Sequence, residues 1–379
     1  MKQRKMKQSI QRLVLFIWLV SFALISEACR FTVREIGFSL LSPTEYSLVV
    51  VDDAVDFSAP AIQQLTARLK SSNVRLVLLN SQVDASHPLL QRAQSEGVTF
   101  PNAVLFGPEE RFCPLFEGRP YSLQALSQTV DKQILSSPLR EQILSDVSRT
   151  FAYVIQIAGK YTNENQQVQR RIKDDCLRVN DIMPLMPKSV EKAPQILRLD
   201  DKSAQAERVL LWSLGLDSVP EHPQTVIVYG RGRYMGQPLT THEVSNGLVY
   251  KYLAMVGADC ECNLDRAWML GTQLPMRWNK ETRQKLAESL DFDVDNPLIL
   301  AEMSRILSKE EPGGNATVSY TPETIDLDEV FDSESIRNVG EVGEEDKSST
   351  AKMLWITLGG LLVVAAFISI YILKRRREE

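Results

Sequence analysis

The chain has 379 residues, 44% hydrophobic and 24% charged, which is the balance of a folded protein rather than of a disordered or fibrous one. A net charge of -5 gives no electrostatic footprint for nucleic acid, and five cysteines are too few, and odd, for a disulfide-built scaffold. With both hydrophobic ends and an acidic stretch set aside, about 280 residues remain, room for two ordinary domains.

Lys2, Arg4, Lys5, Lys7 and Arg12 form a basic head before the apolar run Leu13 to Ile25. Ser26-Glu27-Ala28 then offers small residues for cleavage, so residues 1–28 read as a signal peptide with Cys29 first in the mature chain. Lipidation of Cys29 is the competing reading, and Ser26 and Glu27 fit it poorly.

In the stretch 29–138, Tyr46 to Val51 is a short apolar run rich in β-branched residues, the pattern of a strand covered on both faces. Ala61, Ile62, Leu65 and Leu69 recur at helical spacing, and Val74 to Leu79 gives a second strand. A short helix from His87 to Ser95 follows, then the strand Pro101 to Phe106, a Gly-Pro turn and the strand Arg111 to Phe116. Leu123, Leu126, Val130 and Ile134 mark a last helix. Strands alternating with helices predict an α/β mixed sheet flanked by helices, parallel in its first half.

The order β-α-β-α-β-β-α, with Pro101 opening the third strand and Gly118 before the closing helix from Ser122, resembles the thioredoxin fold. The resemblance implies a cis peptide at Phe100-Pro101. It also implies a peptide-binding position made by Phe100, Pro101 and Ser58. Thioredoxins open their first helix with Cys-x-x-Cys, where the helix N-terminus favours a thiolate. Here the corresponding residues are Ser58-Ala59-Pro60-Ala61, which cannot exchange disulfides. The resemblance therefore implies a binding fold without that family's chemistry.

The stretch 139–308 reads as a second, diverged thioredoxin-like unit. A helix from Pro138 to Ser148 leads to the strand Phe151 to Ile157, and a polar helix runs from about Asn163 to Asn180. After a loop with Pro184, Pro187 and Pro194, the apolar run Arg208 to Trp212 reads as the next strand. Pro223 to Gly230 and Arg233 to Gly236 echo the earlier proline-led pair, and Thr241 caps a helix through Met255. Asn163-Glu164-Asn165 stands where the first helix of this copy begins, again without cysteine.

Cys260-Glu261-Cys262 is the most pointed chemical feature. The two thiols could be a strained redox pair, structural partners for Cys29, Cys113 or Cys176, inert thiols, or soft metal ligands. No standard zinc spacing includes His222 or His242, so no metal and no cofactor is expected. Gly230-Arg231-Gly232-Arg233-Tyr234 is not a phosphate loop, because no helix follows it, and it reads as a hairpin turn. His87, His222 and His242 suggest no catalytic triad, and Asn315-Ala316-Thr317 is a glycosylation sequon.

Residues 309–352 are acid-rich and poor in aromatics, the composition of a flexible linker. Met353 to Leu373 carries no charge over 21 residues, and Lys374 to Arg377 follow at once. At about 1.5 Å per residue this makes roughly 30 Å of helix, the depth of a bilayer core, and the basic tail 374–379 is expected in the cytoplasm. The expectation is a type I single-pass cell-membrane protein with two thioredoxin-like domains outside. Its function would be non-enzymatic binding or scaffolding of a peptide or another membrane-associated protein. The alternative is a membrane-tethered thiol-disulfide oxidoreductase using Cys260 and Cys262.

Overall fold

The computed structural model describes residues 30–54, 56–108, 111–117, 121–258 and 270–308, all within one compact unit. The acidic stretch 309–352, the apolar segment 353–373 and residues 1–28 lie outside the described residues, as do Cys29, Cys260 and Cys262.

Two sheets carry the fold. In the first, β1 (Tyr46–Val51) is buried along its whole length and sits centrally. It pairs in parallel with β2 (Val74–Leu79) and antiparallel with β3 (Asn102–Phe106), which pairs antiparallel with β4 (Phe112–Pro114). The strand order is β2-β1-β3-β4. The second sheet repeats it as β6-β5-β7-β8, with β5 (Tyr153–Ile157), β6 (Gln195–Leu199), β7 (Gln224–Tyr229) and β8 (Arg233–Tyr234), and adds β9 (Thr272–Gln273) beyond. The parallel first pair and antiparallel second half, twice over, make a mixed α/β arrangement of tandem thioredoxin-like sheets flanked by helices. Helix-forming patterns cover them as expected: in Pro60–Leu69 the buried residues are Ile62, Leu65 and Leu69, one face of a helix.

One element differs from the sequence expectation. Arg208–Ser213 is a helix, not a strand, and the edge strand beside β5 is Gln195–Leu199. The helix is apolar on nearly all sides because it lies between two cores. Val209 and Trp212 join the first core, while Leu210, Leu211 and Leu214 join the second. An all-round apolar run of this length reads equally as a buried strand. The cap of the later helix also moves by one residue: Thr240, not Thr241, forms a capping box with Glu243, and the helix Thr241–Ser245 ends before a second one, Leu248–Gly257.

The segment Phe31–Ser39 is buried at every residue and packs on the second sheet, not the first. Its short helix Val33–Gly37 is held by Arg34, which donates to the carbonyls of Val147, Ser148, Thr150 and Phe151. Arg233, fully buried, donates to the carbonyls of Gly37, Ser39 and Leu41 from the other side. Gly230 has φ +53°, and a Cβ there would lie 2.3 Å from the Gly37 carbonyl carbon, so the hairpin turn and this helix meet backbone to backbone.

Residues 273–278 join the two sheets. Tyr46 donates its hydroxyl to the Gln273 carbonyl (2.8 Å), Asn73 exchanges hydrogen bonds with Leu274 and Met276, and the backbone N–H of Trp278 donates to the Ser71 carbonyl (2.6 Å). Fully buried Arg140 adds donations to the carbonyls of Pro275, Ile134, Gln133 and Ser136.

Candidate functional site

In the first sheet, Val51 stands opposite Asn102, so the loop after β1 and the Phe100-Pro101 turn lie at the same end. The Phe100-Pro101 peptide is cis. Pro101 is exposed, while Phe100 leans on the cluster of Val49, Val51 and Leu90. The helix Pro60–Leu69 starts without a side-chain cap, and Ser58 lies just ahead of it. The Ser58 hydroxyl donates to Asp56 Oδ1 at 2.6 Å and its N–H donates to the same oxygen at 2.8 Å. Those two bonds from Ser58 hold the Asp56 carboxyl below the ordinary range, which makes it a weak base for the hydroxyl beside it.

Asp53 and Asp56 give this end an exposed negative face over the buried Asp52, each held by hydrogen bonds. Asp52 accepts from Ala54 N–H (2.9 Å), Asp53 accepts from the N–H and hydroxyl of Ser81, and Asp56 accepts from Ser58. Burial, and next the Asp52 charge, push the Tyr121 phenol up to about 12, so Tyr121 stays a neutral hydroxyl next to that carboxylate. Ser58 and Pro101 are thus presented by adjacent loops.

The second sheet builds a different surface at its equivalent end. Helix Thr162–Ile182 begins beside the loop before β7. The Cβ that Gly159 lacks would fall 2.6 Å from the Glu221 carbonyl, the His222 carbonyl carbon and the Pro223 nitrogen. That absence lets the two loops touch. Asn165 then clamps Gly159, accepting from its N–H and donating to its carbonyl, both at 2.8 Å. Outside this clamp, Tyr161 donates to Glu221 Oε1 at 3.0 Å, His222 Nδ1 lies 2.9 Å from Glu164 Oε2, and the Tyr161 and His222 rings are 5.5 Å apart. The hydrogen bond to Glu164 raises the His222 pKa, and the bond to Glu221 raises that of the Tyr161 phenol. Among the described residues the cis peptide is Phe100-Pro101, so Pro223 follows a trans bond and is buried. Glu164 and His222 stand 58 residues apart in the chain, and no local signal in the sequence joins them.

Cys113 and Cys176 are free and buried; burial pushes both thiols up, Cys176 to about 12, which keeps them protonated and unreactive at neutral pH. Among the described residues no group of acidic, histidine or cysteine side chains could hold a metal, and no helix is long and apolar enough to cross a membrane.

The chain matches no family model and no curated protein. Among solved structures it is similar to the first two thioredoxin domains of Eps1p from Saccharomyces cerevisiae, at 11% identity over 49% of this chain and 81% of that one, with a TM-score of 0.17. The corresponding domains of Naumovozyma dairenensis Eps1p give 12% identity, the same coverages and a TM-score of 0.17. Human ERp44 in its zinc-bound form gives 13% identity over 68% of this chain and 64% of that one, with a TM-score of 0.21. The fold assignment rests on strand order, register and connections rather than on these overlays.

Proposed function

We propose that this protein is a non-enzymatic binding module which receives an extended peptide from another protein at the end of its first sheet, around Ser58, Phe100 and Pro101. The observation that carries the reading is an exposed proline turn set beside a helix start whose side chains, Ser58, Ala59, Pro60 and Ala61, include no thiol and no activated nucleophile. The exposed Asp53 and Asp56 favour a peptide with basic residues next to its apolar anchor. The uncharged run Met353 to Leu373 and the basic residues after it support a membrane-anchored protein whose partner is membrane-associated or extracytoplasmic.

The test is selection of peptides from a random display library against the full chain, followed by affinity measurements on two variants. Asp56→Lys and Pro101→Glu are expected to weaken the selected peptides about ten-fold or more while far-UV circular dichroism is unchanged. Equal binding by both variants refutes the site. Insulin reduction above background that vanishes in Cys260→Ser would replace the reading with the thiol-disulfide oxidoreductase.

A further inference from the structure

The strand β2 is the outer strand of its sheet and pairs only with β1 among the described residues. Asn73 accepts from the Tyr46 N–H and Leu79 accepts from the Asp52 N–H across this parallel ladder. The alternate residues between them, Arg75 and Val77, therefore also aim their backbone groups at β1, while Leu76 and Leu78 turn theirs outward. Such a row of outward N–H and C=O groups is a template for one more strand. Its lower end is closed, because Ser72 makes an antiparallel bridge with Arg277 and its hydroxyl accepts from the Val74 N–H at 3.2 Å.

A groove of about 770 Å³ follows this edge, lined by Val74, Leu76 and Leu78 of β2 and by Thr66, Ala67 and Lys70 at the end of helix Pro60–Leu69. It is open to solvent: Thr66, Ala67 and Lys70 are exposed, Leu76 and Leu78 are half-buried, and Leu40 beside them is 45% exposed. The side chains of Leu76 and Leu78 lie on the face of Leu65 and Leu69. Arg75 lies on the other face, where its Nε donates to the Ser47 hydroxyl at 3.0 Å.

The lining carries Lys70, Arg75, Arg231 and Arg283 against the exposed Glu45. Asp295, outside the lining, is shared by Arg231 at 2.8 Å and Arg283 at 3.7 Å. Four cations against these two carboxylates leave an excess of two positive charges, and Lys70 and Arg75 are both exposed.

We propose that β2 takes an extended peptide of another protein as an added strand, one in which apolar and acidic residues alternate. The peptide backbone bonds Leu76 and Leu78. The period of two along a strand then sorts its side chains, the apolar ones into the groove and the acidic ones onto the face of Arg75. The cation excess rejects a basic segment. It also rejects a second copy of this chain, since edge-to-edge pairing would set Lys70 and Arg75 of each copy beside those of the other. The site does not rest on the proline-turn reading, where exposed carboxylates favour the opposite charge.

The experiment is fluorescence anisotropy of a labelled peptide of about eight alternating valine and aspartate residues, titrated at low ionic strength with the full chain in phosphatidylcholine nanodiscs, empty discs serving as the blank. Saturable binding tighter than about 100 µM is expected, with lysine in place of aspartate at least about ten-fold weaker. N-methylation of alternate residues of the probe reads the backbone bonds. One alternate set aims its N–H groups at β2 and the other aims them at solvent, so one set is expected to abolish binding and the other to leave it within about two-fold. Lys70→Glu and Arg75→Glu, both at exposed positions, are each expected to weaken the acidic peptide about five-fold or more with far-UV circular dichroism unchanged. No saturable binding up to about 1 mM, equal binding of the aspartate and lysine peptides, indifference to N-methylation of either set, or undiminished binding in Lys70→Glu each overturns the proposal. A dimer in sedimentation velocity that the peptide dissociates gives the edge to a second copy, and overturns it too.

Discussion

His222 and Glu164 show how the second sheet sets a titration that its sequence does not announce. Their bond raises the folded-state pKa of His222 above its ordinary 6.5. The contact therefore contributes fully below pH 6.5 and fades as pH rises through the folded value. Proton NMR of the ring is expected to show a midpoint above 6.5, and Glu164→Gln should bring it down. Gly159 is the other decisive position. Gly159→Ala forces a Cβ into backbone at 2.6 Å, where no side chain can swing away, and should cost about 1–3 kcal/mol in denaturant melts while parting Tyr161 from Glu221. The turn at Pro101 and the thiol-free helix start at Ser58 were legible in the sequence because each depends on its neighbours. The Tyr161, Glu164, Glu221 and His222 group was not, since it exists only once two loops meet over a missing Cβ.

The strands β1, β2 and β3 follow directly from apolar, β-branched runs, and the structure places all three as expected. Arg208–Ser213 is a helix where a strand is expected, and the strand falls at Gln195–Leu199, just past the proline-containing loop, because exposure, not composition, separates them. Gln195, Ile196 and Arg198 face solvent at an outer edge, so the strand carries polar residues, whereas the helix is enclosed by two cores. Trp212 is the clearest case: its ring lies 5.9 Å from that of Tyr46 and its N–H donates to the Phe112 carbonyl at 3.1 Å. Trp212→Ala should cost about 3–5 kcal/mol and be read in the same melts. Arg140→Leu should cost a similar amount, about 3–5 kcal/mol, because it strands the carbonyls of Pro275 and Ile134 that its guanidinium satisfies.

At the scale of the molecule, the two sheets share side chains rather than a hinge. Asn73 of the first unit bonds Leu274 and Met276, and Arg277 N–H donates to the Leu135 carbonyl at 3.0 Å. The described residues are accordingly expected to unfold in one transition, with tryptophan fluorescence and far-UV circular dichroism coinciding. Asn73→Ala, which removes both bonds, should lower the stability by about 1–3 kcal/mol and begin to separate the two signals. A first unit that melts on its own in the unaltered chain would contradict this coupling. The sequence pointed to tandem units because the proline-led strand recurs, but their union depends on contacts more than 200 residues apart, as between Tyr46 and Gln273.

The buried helix Val33–Gly37 imposes an order in time. Gly37 is gripped by Arg233, which lies 196 residues further along the chain. At about 5–20 residues per second, a ribosome needs roughly 10–40 s to deliver that partner after Gly37 itself. For that interval Phe31, Val33 and Ile36 have no pocket to enter, even once the first sheet, whose last strand ends at Pro114, has been made. The head of this protein must be sheltered from aggregation until its tail-side partners are made.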